Sequence, residues 1–297
     1  FLDCYFLFLI GKLIYSTKTG IMSALLYFLS PFFFFSGGML IVPDGPLNLF
    51  VIATIYFIAK IIVSNKEGHL LEWLLIGFFI ALAFLSKYQA YIFGFSLITY
   101  FLLWKKKFLV SKKFFSSFLV ASLGILPVVV WNIQNDFASF LFHQSRGNFT
   151  IQVSHFFGLL FAQLFFILPS TAIFIFLNFF RFNGEPSNIR NLLYIIALPP
   201  IVLFNLINFF SSNSFAHWSM IGWLILIPGC ANFLVSLNYL KWQIFSLKTL
   251  NAVLAFSFIF AVVLHSKNGF LTENSVNKPQ IKWDNTKEVL DWSNIAK

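Results

Sequence analysis

Residues 37–63 read GGMLIVPDGPLNLFVIATIYFIAKIIV. An apolar run ends in the turn Pro43-Asp44-Gly45-Pro46, and a second run follows with one charge, Lys60, near its end. A helix needs roughly 20 apolar residues to cross a hydrocarbon core. The two prolines stop one helix and pre-set the start of the next. The stretch therefore reads as two membrane-crossing helices joined by a surface turn. Working outward, the pattern recurs at 1–14, 20–41, 70–86, 88–104, 114–131, 155–177, 191–210, 218–236 and 249–266. The expected fold is all-α, a polytopic transmembrane helical bundle of about ten spans. Residues 1–266 form the membrane domain and 267–297 a short outer C-terminal tail. Only 10% of the 297 residues are charged and 59% are hydrophobic, whereas a soluble domain carries about 25% charge. Such a chain cannot cover a water-facing surface, and its 44 phenylalanines, some in runs such as Phe32–Phe35, suit lipid.

The charges alternate from one connector to the next. One set holds Lys12, Lys18, Lys60, Lys66, Lys105, Lys106, Lys107, Lys112, Lys113, Arg181, Arg190, Lys241 and Lys248. The other set holds only Lys87 and Arg146 as basic residues. Lysine and arginine accumulate on the cytoplasmic side, so the Pro43–Pro46 turn, Lys87, the loop 132–154, the segment 211–217 and the tail are expected outside. The net charge of +10 is read as this topology signal and not as a nucleic-acid footprint. Cys4 and Cys230 lie in apolar segments and form neither a disulfide framework nor a metal motif. There is no GxxxxGK[ST] loop, GxSxG elbow or HExxH pair, and no internal repeat. Asn148-Phe149-Thr150 fits a glycosylation acceptor, meaningful only in a eukaryotic secretory host.

The chemistry-bearing residues gather on the expected outer side. Asp44 sits at the start of a span, where it reads either as a helix cap alone or as a cap that also has a place at an active site. Lys87, in the tight turn Ser86-Lys87-Tyr88, either snorkels as a helix anchor or meets an anionic phosphate at the bilayer surface. The loop WNIQNDFASFLFHQSRG (131–147) interleaves aromatics with Gln134, Asp136, His143, Gln144 and Arg146. Rings that stack on sugar faces, and amides that pair with hydroxyls, suit a carbohydrate site; Arg146 offers a fork for phosphate. The same loop reads equally as an interfacial amphipathic helix. His217 can meet phosphate, sugar or a helix end, and Trp218 beside it is a belt residue. Asp136, His143 and His217 show no metal-ligand spacing, so no cofactor is expected, with a divalent metal as the open alternative.

Four stretches in order, GGMLIVPDGPLNLF (37–50), LAFLSKYQA (82–90), the loop 131–147 and HWSMIGW (217–223), resemble family 39-type glycosyltransferases of the polytopic GT-C fold. That group includes protein O-mannosyltransferases and bacterial aminoarabinose transferases. The resemblance implies transfer of a sugar from a polyprenyl-phosphate donor to a lipid, glycan or protein acceptor at the extracytoplasmic face, in bacteria at the plasma membrane. Membrane lipids are the other expected partners, and no nucleic acid. It implies Asp44 as a second acid of the cavity, Lys87 and Arg146 at the donor phosphate, and Tyr88, Gln134, Asp136, His143, Gln144, His217 and Trp218 around the sugar or acceptor. Ile221 stands where the family often has proline. Phe1 begins inside an apolar run, so the first span and first outer loop, with the main acid, are expected to be missing; Asp3, at a span's start, is not expected to replace it. On that reading the chain as given is catalytically incompetent. The alternatives are a polytopic transporter or lipid flippase, and a non-catalytic scaffold. Transport sites favour ionisable groups near the midplane, whereas here polar groups gather at one face.

Overall fold

The structure, a computed structural model, describes residues 1–38, 42–64, 66–139, 141, 150–180, 187–237, 252 and 256. Among the described residues the regular elements are helices, with no strand. They are α1 (Leu2–Ile14), α2 (Thr17–Leu29), α3 (Pro31–Gly38), α4 (Asp44–Ser64), α5 (Leu70–Ser86), α6 (Ala90–Trp104), α7 (Lys106–Leu109), α8 (Lys112–Leu123), α9 (Leu126–Gln134), α10 (Val153–Phe166), α11 (Pro169–Phe180), α12 (Ser187–Phe210) and α13 (Met220–Ser236). A 3-10 turn, Ala216–Ser219, leads into α13.

Asp44–Ser64, Lys112–Gln134, Asn191–Phe210 and Ala216–Ser236 are each long and apolar enough to cross a membrane. Two further pairs pass together but are bent: Thr17–Leu29 with Pro31–Gly37 by 80°, and Val153–Phe166 with Pro169–Phe180 by 96°. On length and composition the described residues thus hold four spans, or six if each bent pair is one. At 1.5 Å per residue, α5 and α6 reach about 25 and 22 Å, short of a core of about 30 Å. The tail, and all of the expected tenth span except residues 252 and 256, lie outside the described residues.

The bends have local causes. The run 20–41, expected as one span, breaks at Ser30, whose backbone is extended (φ −73°, ψ 119°). Pro31 follows, and the ring of a proline drives the residue before it out of the helical region. The second break falls at Leu168, with φ +69°, immediately before Pro169.

Helices α4 and α13 lie innermost, burying Val51, Ile52, Ala53 and Ala59 on one and Leu224, Ile227, Cys230 and Ala231 on the other. The α8–α9 stretch is peripheral and exposes Phe115, Phe118, Leu119 and Leu123. Lipid accepts an exposed apolar face of this kind; water does not. Helices α1 and α2 meet backbone to backbone: a Cβ added at Gly11 would lie 2.8 Å from the Gly20 Cα. Small residues allow that approach where lipid offers no hydrophobic drive to pack helices.

Charged groups sit at the two ends of the bundle. At the end where α4 finishes and α5 begins, Lys60 pairs with Glu72 at 2.8 Å and Lys113 with Glu67 at 3.5 Å. At the opposite end, where α4 begins and α5 finishes, Lys87 meets Asp44.

Candidate functional site

Asp44 opens α4, two residues ahead of Pro46, whose missing N–H falls in a first turn that needs none. Its carboxylate therefore stands at the positive end of a helix dipole. Gly45 lets α3 close against this turn, since a Cβ there would lie 2.5 Å from the Ser36 carbonyl oxygen. Lys87 ends α5 in extended conformation (φ −161°, ψ 139°), its backbone N–H still donating to the Ala83 carbonyl. That geometry throws the side chain across the bundle end. The Lys87 ammonium donates to Oδ1 and Oδ2 of Asp44, both at 2.8 Å. Side-chain exposures of 19% for Lys87 and 11% for Asp44 make this a largely desolvated pair, where attraction is stronger than in water.

His217 joins them. Its ring lies against Phe32 at 6.4 Å and Phe215 at 5.6 Å, both near parallel, and it stands within electrostatic reach of both Lys87 and Asp44. Three residues from distant parts of the sequence thus lie at one end of the bundle, Lys87 and Asp44 in contact and His217 near both. A carboxylate, an ammonium and an imidazole there can hold an anion and move a proton.

The other candidates are placed differently. The Tyr88 hydroxyl shares a 2.8 Å hydrogen bond with Ser139, tying the α5–α6 turn to the segment after α9. Trp218 packs edge-on against Phe204 and Phe215, beside the cluster and not in it. Gln134 and Asp136 are exposed, and among the described residues no hydrogen bond or ion pair links them to Lys87 or Asp44. Their turn is organised by Asn132, buried, which donates to the Val128 carbonyl and accepts from the Ser139 N–H. Asp136 and Phe137 follow with φ of +49° and +56°, a backbone that non-glycine residues hold only under constraint. His143, Gln144 and Arg146 lie outside the described residues. Among the described residues no three His, Cys, Asp or Glu side chains gather as a metal site would require.

The sequence pattern did not single out Asn48 or Asn208, and Asp3 was expected only as the start of a span. Asp3 is buried in α1 with Oδ1 unpartnered, near Gly37. Asn48 is one turn beyond Asp44 on α4, a spacing of four that marked it as a neighbour, and Asn208 is near the end of α12.

Between α6 and α12 runs an apolar groove of about 500 Å³, lined by Tyr91, Ile92 and Phe95 on one side and Pro199, Val202, Leu203 and Leu206 on the other. Tyr91 is four residues beyond Lys87, at the start of α6, with its ring 6.3 Å from that of Tyr88. The groove's head therefore lies next to the charged end.

Residues 1–131 match the family model of dolichyl-phosphate-mannose-protein mannosyltransferase. The matched stretch, less than half of the chain, contains Asp44, Lys87 and Tyr88 and stops short of Gln134, Asp136 and His217. No curated protein and no solved structure matches the chain. Together with its long apolar helices the match makes this an integral membrane protein, and it supports a place for the chain in a GT-C, mannosyltransferase-like family.

Proposed function

We propose that the protein is a membrane glycosyltransferase that takes its sugar from a polyprenyl-phosphate donor at the extracytoplasmic face. The observation that carries this reading is the Lys87–Asp44 pair with an apolar groove beginning beside it. A polyprenyl phosphate is an anion on a long apolar chain, and the two features suit its two halves. In the transfer, an acceptor oxygen attacks the sugar's anomeric carbon as the bond from that carbon to the phosphate oxygen breaks. The leaving phosphate keeps the electron pair, and Lys87 stabilises its charge. Asp44 holds the ammonium in place before the donor arrives. Once phosphate takes over part of that contact, Asp44 is released to act as an acid–base group toward the acceptor hydroxyl. Arg146 is a second phosphate ligand. Tyr88, Gln134, Asp136, His143, Gln144, His217 and Trp218 shape the sugar and acceptor side. Residues 1–266 form the membrane domain, with about ten spans once the short helices and the stretches outside the described residues are included, and 267–297 an outer tail. The acceptor is a lipid, glycan or protein, and in a bacterium the site faces away from the cytoplasm at the plasma membrane. The transporter alternative draws support from neither the family match nor the geometry.

Protein in lipid nanodiscs is expected to retain radiolabelled polyprenyl-phosphate mannose saturably, and to release it to unlabelled polyprenyl phosphate. Retention that never saturates, or that ignores the competitor, would contradict the reading.

A further inference from the structure

Asn48 and Asn208 are 2% and 0% exposed. The amide nitrogen of Asn48 and both side-chain polar atoms of Asn208 have no hydrogen-bond partner. Inside a membrane protein an unmatched amide has no water to fall back on. Among the described residues the bundle satisfies its other buried amides. Gln163 of α10 donates to the Asn205 Oδ1 at 2.9 Å, and Asn205 of α12 returns a bond to the Gln163 Oε1 at 3.2 Å. The Trp223 indole N–H of α13 adds a third at 3.1 Å. The two unmatched asparagines are thus exceptions that need a cause.

Their positions supply one. Asn48 follows Asp44 by one helical turn, on the same face of α4. Further along, that face contributes Ile52 and Ile55 to a small void shared with Leu7 and Ile10 of α1, Leu193 of α12 and Leu224 and Ile225 of α13. Asn48 therefore faces the bundle interior, among α1, α12 and α13. Asn208 is near the C-terminal end of α12, next to Phe209 and Phe210, whose carbonyls accept from the Gln152 and Thr150 N–H groups. Both amides lie at the charged end of the bundle, just inside it. A carboxamide presents donors and an acceptor to a hydroxyl, which itself both donates and accepts. A phosphate would use only the donors.

We propose that Asn48 and Asn208 read the hydroxyl groups of the donor's sugar, and so determine which sugar the protein accepts. This rests on the reading of Lys87 as the donor-phosphate ligand and adds the sugar-specificity residues to it.

The test compares two lipids on the 297-residue protein in nanodiscs, polyprenyl phosphate and polyprenyl-phosphate mannose. Asn48→Leu and Asn208→Leu should each lower affinity for the mannose lipid about tenfold and leave polyprenyl phosphate unchanged. Each should also raise the thermal midpoint by about 2 °C, because an unmatched buried amide has been removed. Asn48→Asp and Asn208→Asp, which keep the shape, should lose the same sugar-dependent affinity. Unchanged mannose-lipid affinity in both leucine variants, or in both aspartate variants should the leucine variants not fold, overturns the proposal. So does a wild-type protein that binds the two lipids equally, and that result leaves Lys87's role standing. If the wild type binds neither lipid, the proposal and the functional reading fall together.

Discussion

Asp44→Ala is expected to lower the thermal midpoint by about 6 °C or more, corresponding to a loss of about 3 kcal/mol. The substitution leaves the Lys87 ammonium at a largely desolvated position with nothing to offset its charge. Losing one partner of such a pair is worse than losing both, since the penalty is the stranded charge and not the missing attraction. Lys87→Met in the Asp44→Ala background should therefore recover most of the stability. The double-mutant cycle should show a coupling of about 2 kcal/mol. Additive losses, measured by tryptophan fluorescence on heating, would mean that the 2.8 Å contacts contribute nothing.

Gly45→Val should also damage the charged end, through packing and not through a stranded charge. The new side chain meets the Ser36 carbonyl oxygen, so the end of α3 must move away from the first turn of α4. Overpacking of this kind costs about 2 kcal/mol. The turn that must shift is the one that presents Asp44 to Lys87, so affinity for polyprenyl phosphate should fall about tenfold with it. Gly158→Val is the control, because nothing lies within 4 Å of a Cβ there; it should leave both quantities unchanged. Equal effects from the two substitutions would argue against a tight α3–α4 corner.

The alternation of apolar runs and basic turns made the helical architecture readable, because lipid imposes a length and a charge bias on every helix that crosses it. The two bends were harder to see. Phe32–Phe35 continues the apolar run past Ser30, so hydropathy hides the break that Pro31 makes. At the candidate site, Asp44, Lys87 and His217 were each conspicuous as polar residues beside apolar runs. Their meeting was not, since no local pattern states that a lysine will pair with a carboxylate 43 residues earlier. Asn48 sat inside a stretch that reads as plain membrane helix. Its spacing of four from Asp44 was the one signal in the sequence, and its burial and unmatched amide appear only in the structure.

Donor binding at this site depends on Lys87 meeting a lipid-borne phosphate. The direct measurement is the affinity of nanodisc-embedded protein for polyprenyl phosphate against the uncharged polyprenol, in wild type and in Lys87→Gln. The wild type should prefer the phosphate by about 30-fold or more, and Lys87→Gln should abolish that preference while polyprenol binding stays the same. A Lys87→Gln protein that folds and still prefers the phosphate by the wild-type margin would contradict the account.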